Sequence, residues 1–202
     1  MKDFGFYLVI TNPVVGYARC AEAAVRAGVK IVQLRMKHVA REDILREARE
    51  MRRVTQGTET LFIVNDDPAL AAEAEADGVH VGQDDMPPAE VRAKFPQLKV
   101  VGLSTHNLDQ VYASWDQPID YIGVGPVYAT PTKDIPDPTL GPEMAGRMIA
   151  AARVPAVAIG GINAETLSPV LAAGARNFAV VRAVCQSPDP YSAIRKLVEI
   201  HA

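Results

Sequence analysis

Gln33, Arg35 and Lys37 alternate with Leu34 and Met36, directly after the apolar pair Ile31-Val32. On an extended strand a period of two turns all three polar groups to one face. Cations gathered on the inward face of a sheet are costly without an anion to hold. The segment therefore points to an anionic ligand; solvated charges at a frayed strand end are the plainer alternative. Other polar residues arrive in the same way as apolar runs end. Asn65-Asp66 follow Leu61 to Val64, Asp85 follows the run Gly78 to Gly82, and Ser104 follows Val100 to Leu103. Two carboxylates from adjacent strand ends, Asp66 and Asp85, make a Mg²⁺ site once phosphate oxygens and water fill the remaining positions. Asp67 stands directly before Pro68 and reads as a helix cap instead. Asp84 or Asp85, shortly before Pro87-Pro88, has the same alternative.

Gly160-Gly161-Ile162-Asn163 follows the run Ala156 to Ile159, and Val181-Arg182-Ala183 follows Phe178 to Val180. In a barrel, the loops after the seventh and eighth strands often bind phosphate, because bare backbone N–H groups meet the anion there. Gly161 would let the backbone approach, and Arg182 would add charge; a tight turn that needs glycine is the alternative. Thr130-Pro131-Thr132-Lys133 lies in a long segment with prolines at 126, 131, 136 and 138, a candidate ligand-covering loop or simply a surface loop. Ser104-Thr105-His106 invites a nucleophilic reading, but no GxSxG elbow is present, and a hydrogen bond from Ser104 to a ligand is preferred. His80 lies mid-strand and reads as a packed core histidine; His38 and His201 fit no pattern.

These groups can converge only if the apolar runs are parallel strands. Eight candidates occur, at 6–11, 31–35, 61–65, 78–81, 100–104, 121–125, 156–160 and 178–182. Most are continuous apolar runs, as strands covered on both faces are. Between them lie helical stripes such as Ile44, Ala48 and Met51, or Ile194, Leu197 and His201. Gly28, Gly57, Gly78 and Gly174 fall where helix ends and strand starts often need a left-handed backbone. Eight strand–helix alternations with short connections predict an α/β fold, a (β/α)8 TIM barrel, as a single domain over residues 1–202. An open doubly wound sheet is weaker, since no GxGxxG follows the first strand.

Composition narrows the function classes. The chain has 202 residues, 49% hydrophobic and 22% charged, with a formal net charge of −3. Without a long basic run, nucleic-acid and polybasic membrane roles have little support. No apolar stretch approaches the ~18 residues of a membrane span. The two cysteines, Cys20 and Cys185, have no metal-ligand spacing; they suit a reducing, cytoplasmic compartment. The expected partners are small phosphorylated molecules, and the oligomeric state is left open, a homo-oligomer included.

Taken together, the blocks QLRMK (33–37), VND (64–66), DGVHVGQDDMP (77–87), GLSTH (102–106), DYIGVGPVYATPTK (120–133) and AIGGI (158–162) resemble the thiamine phosphate synthase family, in order along nearly the whole chain. None of these blocks is specific alone. The resemblance implies a TIM barrel that couples hydroxymethylpyrimidine diphosphate with a phosphorylated hydroxyethyl-thiazole, giving thiamine phosphate and pyrophosphate. Carried over by motif, Gln33, Arg35, Lys37, Asn65, Ser104 and Lys133 would hold the pyrimidine diphosphate, and Asp66 and Asp85 would hold Mg²⁺. Thr130, Thr132, Gly161, Val181 and Arg182 would hold the thiazole phosphate. The implied chemistry is a dissociative displacement needing no protein nucleophile, with Arg35, Lys37 and Lys133 neutralising the leaving diphosphate and Ser104 beside them. Position 182 is often serine in the family and is arginine here. Thr11-Asn12 stands where Thr-Asp is frequent, and Pro136 and Pro138 stiffen the segment after Lys133.

Rival readings are a metal-independent thiazole tautomerase of the same superfamily, a non-catalytic phosphate-ligand-binding barrel, and a sugar-phosphate isomerase. The tautomerase uses a histidine where this chain reads Gly125-Pro126 and would leave Asp66 and Asp85 without a task.

Overall fold

In the computed structural model, which describes residues 3–132 and 138–201, eight parallel strands close into one barrel in chain order. They are β1 (Phe6–Ile10), β2 (Ile31–Leu34), β3 (Leu61–Asn65), β4 (Gly78–Val81), β5 (Val100–Thr105), β6 (Tyr121–Val124), β7 (Ala156–Ala158) and β8 (Asn177–Val180). Closure is made by β1 against β8, with Tyr7 opposite Ala179. A closed sheet leaves no edge, so the backbone polar groups of every strand find a neighbour. All eight expected strands are present. Several are shorter at their C-terminal ends because the chain bends away while its last bonds persist: Arg35 N–H still donates to Ile10 at 3.0 Å, and Ile159 N–H to Val124 at 2.9 Å.

Side-chain alternation divides the core in two. Outward residues such as Leu8, Val32, Phe62, Val79, Val101, Ile122 and Phe178 pack under the helices. The layer is covered by α1 (Tyr17–Arg26) through Cys20 and Ala24, by α2 (Arg41–Thr55) through Ala48 and Met51, and by α9 (Pro190–His201) through Ile194 and Leu197. Each large apolar side chain buried there contributes roughly 1.5–3 kcal/mol. Inward residues form a smaller cluster of Tyr7, Val9, Ile31, Ile63, Val100, Tyr121, Val157 and Ala179. Asn177 closes the bottom, accepting from Phe4 N–H at 2.7 Å and Gly5 N–H at 3.0 Å. At the other end the inward positions turn polar, and the site lies there.

The remaining helices are α3 (Pro68–Glu73), α4 (Pro88–Lys94), α5 (Leu108–Ala113), α6 (Gly141–Ala151), α7 (Leu167–Ala172) and α8 (Arg182–Cys185). Among the described residues, no helix is long and apolar enough to cross a membrane. Gly28, Gly57 and Gly174 take positive φ as expected, but Gly78 does not. A Cβ on Gly78 would lie 2.1 Å from the Val100 carbonyl oxygen, so that glycine serves the close approach of β4 and β5.

Candidate active site

The strand C-termini surround a cavity of about 470 Å³. Its floor is Tyr7, Gln33, His80, Ser104 and Tyr121, its walls include Val9, Val157, Ile159 and Ala179, and its mouth includes Arg35, Thr130, Thr132, Gly160, Gly161, Asn163 and Arg182. Asn65 and Val181 also line it. Period-two alternation produces this convergence, since Gln33, Asn65, His80 and Ser104 are all inward positions near strand ends.

Gln33 is 4% exposed, and its amide donates to the Tyr7 hydroxyl at 2.7 Å. Arg35 reaches across the mouth, where Nη1 donates to the Thr132 carbonyl at a long 3.4 Å. Lys37 does not line the cavity; it forms an ion pair with Asp66. The three polar residues of the 33–37 segment thus spread from floor to mouth to outer rim.

Asp66 and Asp67 divide as their sequence context suggests. Asp67 Oδ1 accepts from Leu70 N–H at 2.8 Å and caps α3. Asp66 takes φ +65°, a left-handed conformation that aspartate tolerates better than most residues, and its N–H is anchored on the His80 carbonyl at 2.8 Å. Asp85 does not cap α4, whose N-cap is Pro87; its Oδ2 accepts from Gly82 N–H at 2.7 Å. Burial holds the Asp85 carboxyl above its ordinary pKa, and the neighbouring charge and hydrogen bond of Asp66 raise it further, against the Gly82 N–H bond and the weaker pull of Lys37. Two carboxylates this close repel unless a proton or a cation lies between them. Among the described residues no group of three or more His, Cys, Asp or Glu side chains is arranged for a metal. A pair of hard oxygen donors is nevertheless a set that would suit Mg²⁺ were phosphate oxygens and water to complete its shell, so the two residues fit that ion.

Gly160 and Gly161 take φ +104° and +64°. A Cβ on Gly160 would lie 2.6 Å from Pro126 Cα, and one on Gly161 would lie 2.7 Å from Tyr128 Cβ. The loop after β7 therefore runs against the loop after β6, and Tyr128 N–H donates to Gly160 at 3.0 Å. Thr130 and Thr132 hydroxyls meet at 3.0 Å on the same wall. Arg182 opens α8 and, like Arg35, lines the cavity. Lys133 and Pro136 lie outside the described residues.

His80 corrects the sequence reading. It is a floor residue with both ring nitrogens engaged, Nδ1 with the Tyr121 hydroxyl and Nε2 with Ser104 Oγ, each at 2.9 Å. His106 turns elsewhere, Nδ1 meeting the Gly125 carbonyl at 2.7 Å. The serine–histidine pair is thus Ser104–His80, and a tyrosine hydroxyl holds the position a triad gives to a carboxylate. Tyr7, His80 and Tyr121 carried an overlooked signal: each is two residues from another inward residue of its strand, Val9, Gly78 and Gly123.

A family model described as thiamine monophosphate synthase matches residues 6–184. The thiamine-phosphate synthase of Methanospirillum hungatei is 36% identical over 201 residues, covering 98% of this chain and 98% of that protein. A Synechococcus thiamine-phosphate synthase is 45% identical over 179 residues, 89% of this chain. The chain spans 50% of that protein's length and 57% of a Synechocystis relative's. Among solved structures, thiamine phosphate pyrophosphorylase from Pyrococcus furiosus superimposes with a TM-score of 0.89 at 27% identity, covering 98% of this chain and 96% of that one. A 3-hexulose-6-phosphate synthase, at 18% identity and a TM-score of 0.70, shares the fold.

Proposed function

We infer the activity of this chain from the family to which it belongs, the thiamine monophosphate synthases. On this reading it joins hydroxymethylpyrimidine diphosphate to the phosphorylated hydroxyethyl-thiazole and releases thiamine phosphate and pyrophosphate. The observation that carries the reading is the family match over residues 6–184. The cavity supports it, with a hydrogen-bonding floor suited to a heteroaromatic ring and cations at the mouth suited to phosphates.

Gln33, Asn65 and Ser104 orient the pyrimidine ring. The carbon–oxygen bond to the diphosphate breaks with its electron pair leaving on pyrophosphate, and the aminopyrimidine stabilises the exocyclic cation. The thiazole nitrogen then donates its lone pair to form the new carbon–nitrogen bond. Arg35, Lys37 and Lys133 neutralise charge growing on the departing oxygens, where preorganised donors contribute most. Asp66 and Asp85 would hold Mg²⁺, which when bound supplies further neutralisation at those oxygens. Thr130, Thr132, Gly161, Val181 and Arg182 anchor the thiazole phosphate and so aim the nitrogen. The apolar walls, including Val9, Val157, Ile159 and Ala179, keep out water that would otherwise capture the cation.

The test is a coupling assay on the purified chain with both substrates, with Mg²⁺ or with EDTA, reading thiamine phosphate as its fluorescent oxidation product. Metal-dependent product is expected. No product at any Mg²⁺ concentration overturns the reading.

A further inference from the structure

Beneath the cavity a single line of hydrogen bonds crosses the barrel. Gln33 Nε2 donates to the Tyr7 hydroxyl at 2.7 Å, and the Tyr7 and Tyr121 hydroxyls meet at 2.9 Å. Tyr121 then meets His80 Nδ1 at 2.9 Å, and His80 Nε2 meets Ser104 Oγ at 2.9 Å. The register explains how the last links form. His80 on β4 is paired with Gly102 on β5, and Gly102 is paired with Tyr121 on β6. The missing side chain at Gly102 is what lets its two neighbours touch, since a Cβ there would lie 2.2 Å from Tyr121 Cζ and 2.5 Å from His80 Nδ1. The Tyr121 and His80 rings also stack, inclined by 28° with centroids 5.4 Å apart.

Counting protons gives this line a direction. An amide nitrogen only donates, and each hydroxyl has one proton. Tyr7 accepts from Gln33, and among the described hydrogen bonds the one acceptor within reach of its own buried proton is the Tyr121 hydroxyl. Tyr121 accepts from Tyr7, so its proton goes to His80 Nδ1. A neutral imidazole that accepts at Nδ1 carries its hydrogen on Nε2, which donates to Ser104 Oγ. The Ser104 proton is then left for the cavity. Both tyrosines are fully buried, and burial pushes their hydroxyls well above the ordinary tyrosine range, so neither gives up its proton.

We propose that Gln33, Tyr7, Tyr121 and His80 form a one-way relay that sets His80 as its Nε2–H tautomer and makes Ser104 a hydrogen-bond donor to a ligand acceptor atom in the cavity. Tyr7 and Tyr121 are positioning residues, acting through His80 and Ser104. The functional part rests on the synthase reading above, with the ring of the pyrimidine diphosphate as the acceptor.

The experiment is ¹⁵N spectroscopy of the histidine rings at pH 8 on the whole protein, with a His80→Gln variant identifying the His80 signals, alongside the coupling assay. The wild-type protein should show an unprotonated Nδ1 and a protonated Nε2. Tyr121→Phe, which keeps the ring and removes the relaying proton, should move the His80 signals toward tautomer averaging. The same variant should lower kcat/KM for the pyrimidine substrate about tenfold, the scale of one neutral hydrogen bond. If Tyr121→Phe does not fold, Tyr7→Phe tests the same line from one link further away, with a smaller shift in the same direction. A wild-type Nδ1–H tautomer, or His80 signals unmoved in every folded tyrosine variant, overturns the relay. An inactive wild-type protein with the expected tautomer would leave the relay standing and remove the synthase reading; coupling activity with the opposite tautomer would do the reverse.

Discussion

Replacing Gly161 with alanine separates the strain of one residue from the fit of two loops. Gly161 sits at φ +64°, and a non-glycine residue in the left-handed region costs about 1–2 kcal/mol. For a chain of this size that lowers Tm by ~2–8 °C. The added methyl would also lie 2.7 Å from Tyr128 Cβ and 2.9 Å from the Ala129 carbonyl oxygen, where ordinary contact starts at 3.4 Å. The loop after β6 must therefore give way by about 0.5–0.7 Å, approaching the ~1 Å misplacement that costs on the order of 10²-fold where catalysis depends on the geometry. Thr130 and Thr132 ride on that loop and face the cavity. Gly57→Ala is the control: φ is +77° and nothing lies within 4 Å of its new Cβ, so it carries the strain without the collision. Thermal melts and steady-state kinetics on both variants decide the matter. Gly57→Ala should lose Tm and keep kcat/KM, whereas Gly161→Ala should lose at least as much Tm and about 10²-fold in kcat/KM for the thiazole phosphate. Wild-type kcat/KM in Gly161→Ala, with a melt like that of Gly57→Ala, would refute the idea that the two loops jointly build the anchor.

Lys133→Ala should lower kcat by about 10²–10³ with little change in KM, as for a lost charge donor acting in the transition state; a pure KM effect in steady-state kinetics would assign Lys133 to uniform binding. Asp85→Asn should change the pH dependence of stability. The folded chain holds the Asp85 proton to higher pH than the unfolded chain does, because of burial and Asp66. Its contribution is therefore full below the ordinary carboxylate range and is lost as pH rises through the raised value. In metal-free buffer the variant should melt higher than wild type at pH 8, converge with it in acid, and lose coupling activity. Asp67→Ala removes the acceptor for Leu70 N–H and should cost about 1 kcal/mol in chemical denaturation with kcat unchanged.

Eight alternating apolar runs specify a parallel barrel because a strand covered on both faces has little alternative, and each run did become a strand. The same logic placed Gln33, Asn65 and Ser104 at one end of the sheet, and local chemistry separated the Asp67 cap from its neighbour Asp66. These features depend on strand period and neighbouring residues, which a linear reading contains. The floor was hidden because its members are ordinary core residue types in sequence. Tyr7, His80 and Tyr121 lie far apart along the chain, and their contact depends on β4, β5 and β6 pairing in one register around Gly102. The crossing of the loops after β6 and β7 at Gly160 and Gly161 was hidden for the same reason. Barrel closure and shear set which residues meet across the interior, and no local property of the chain carries that information.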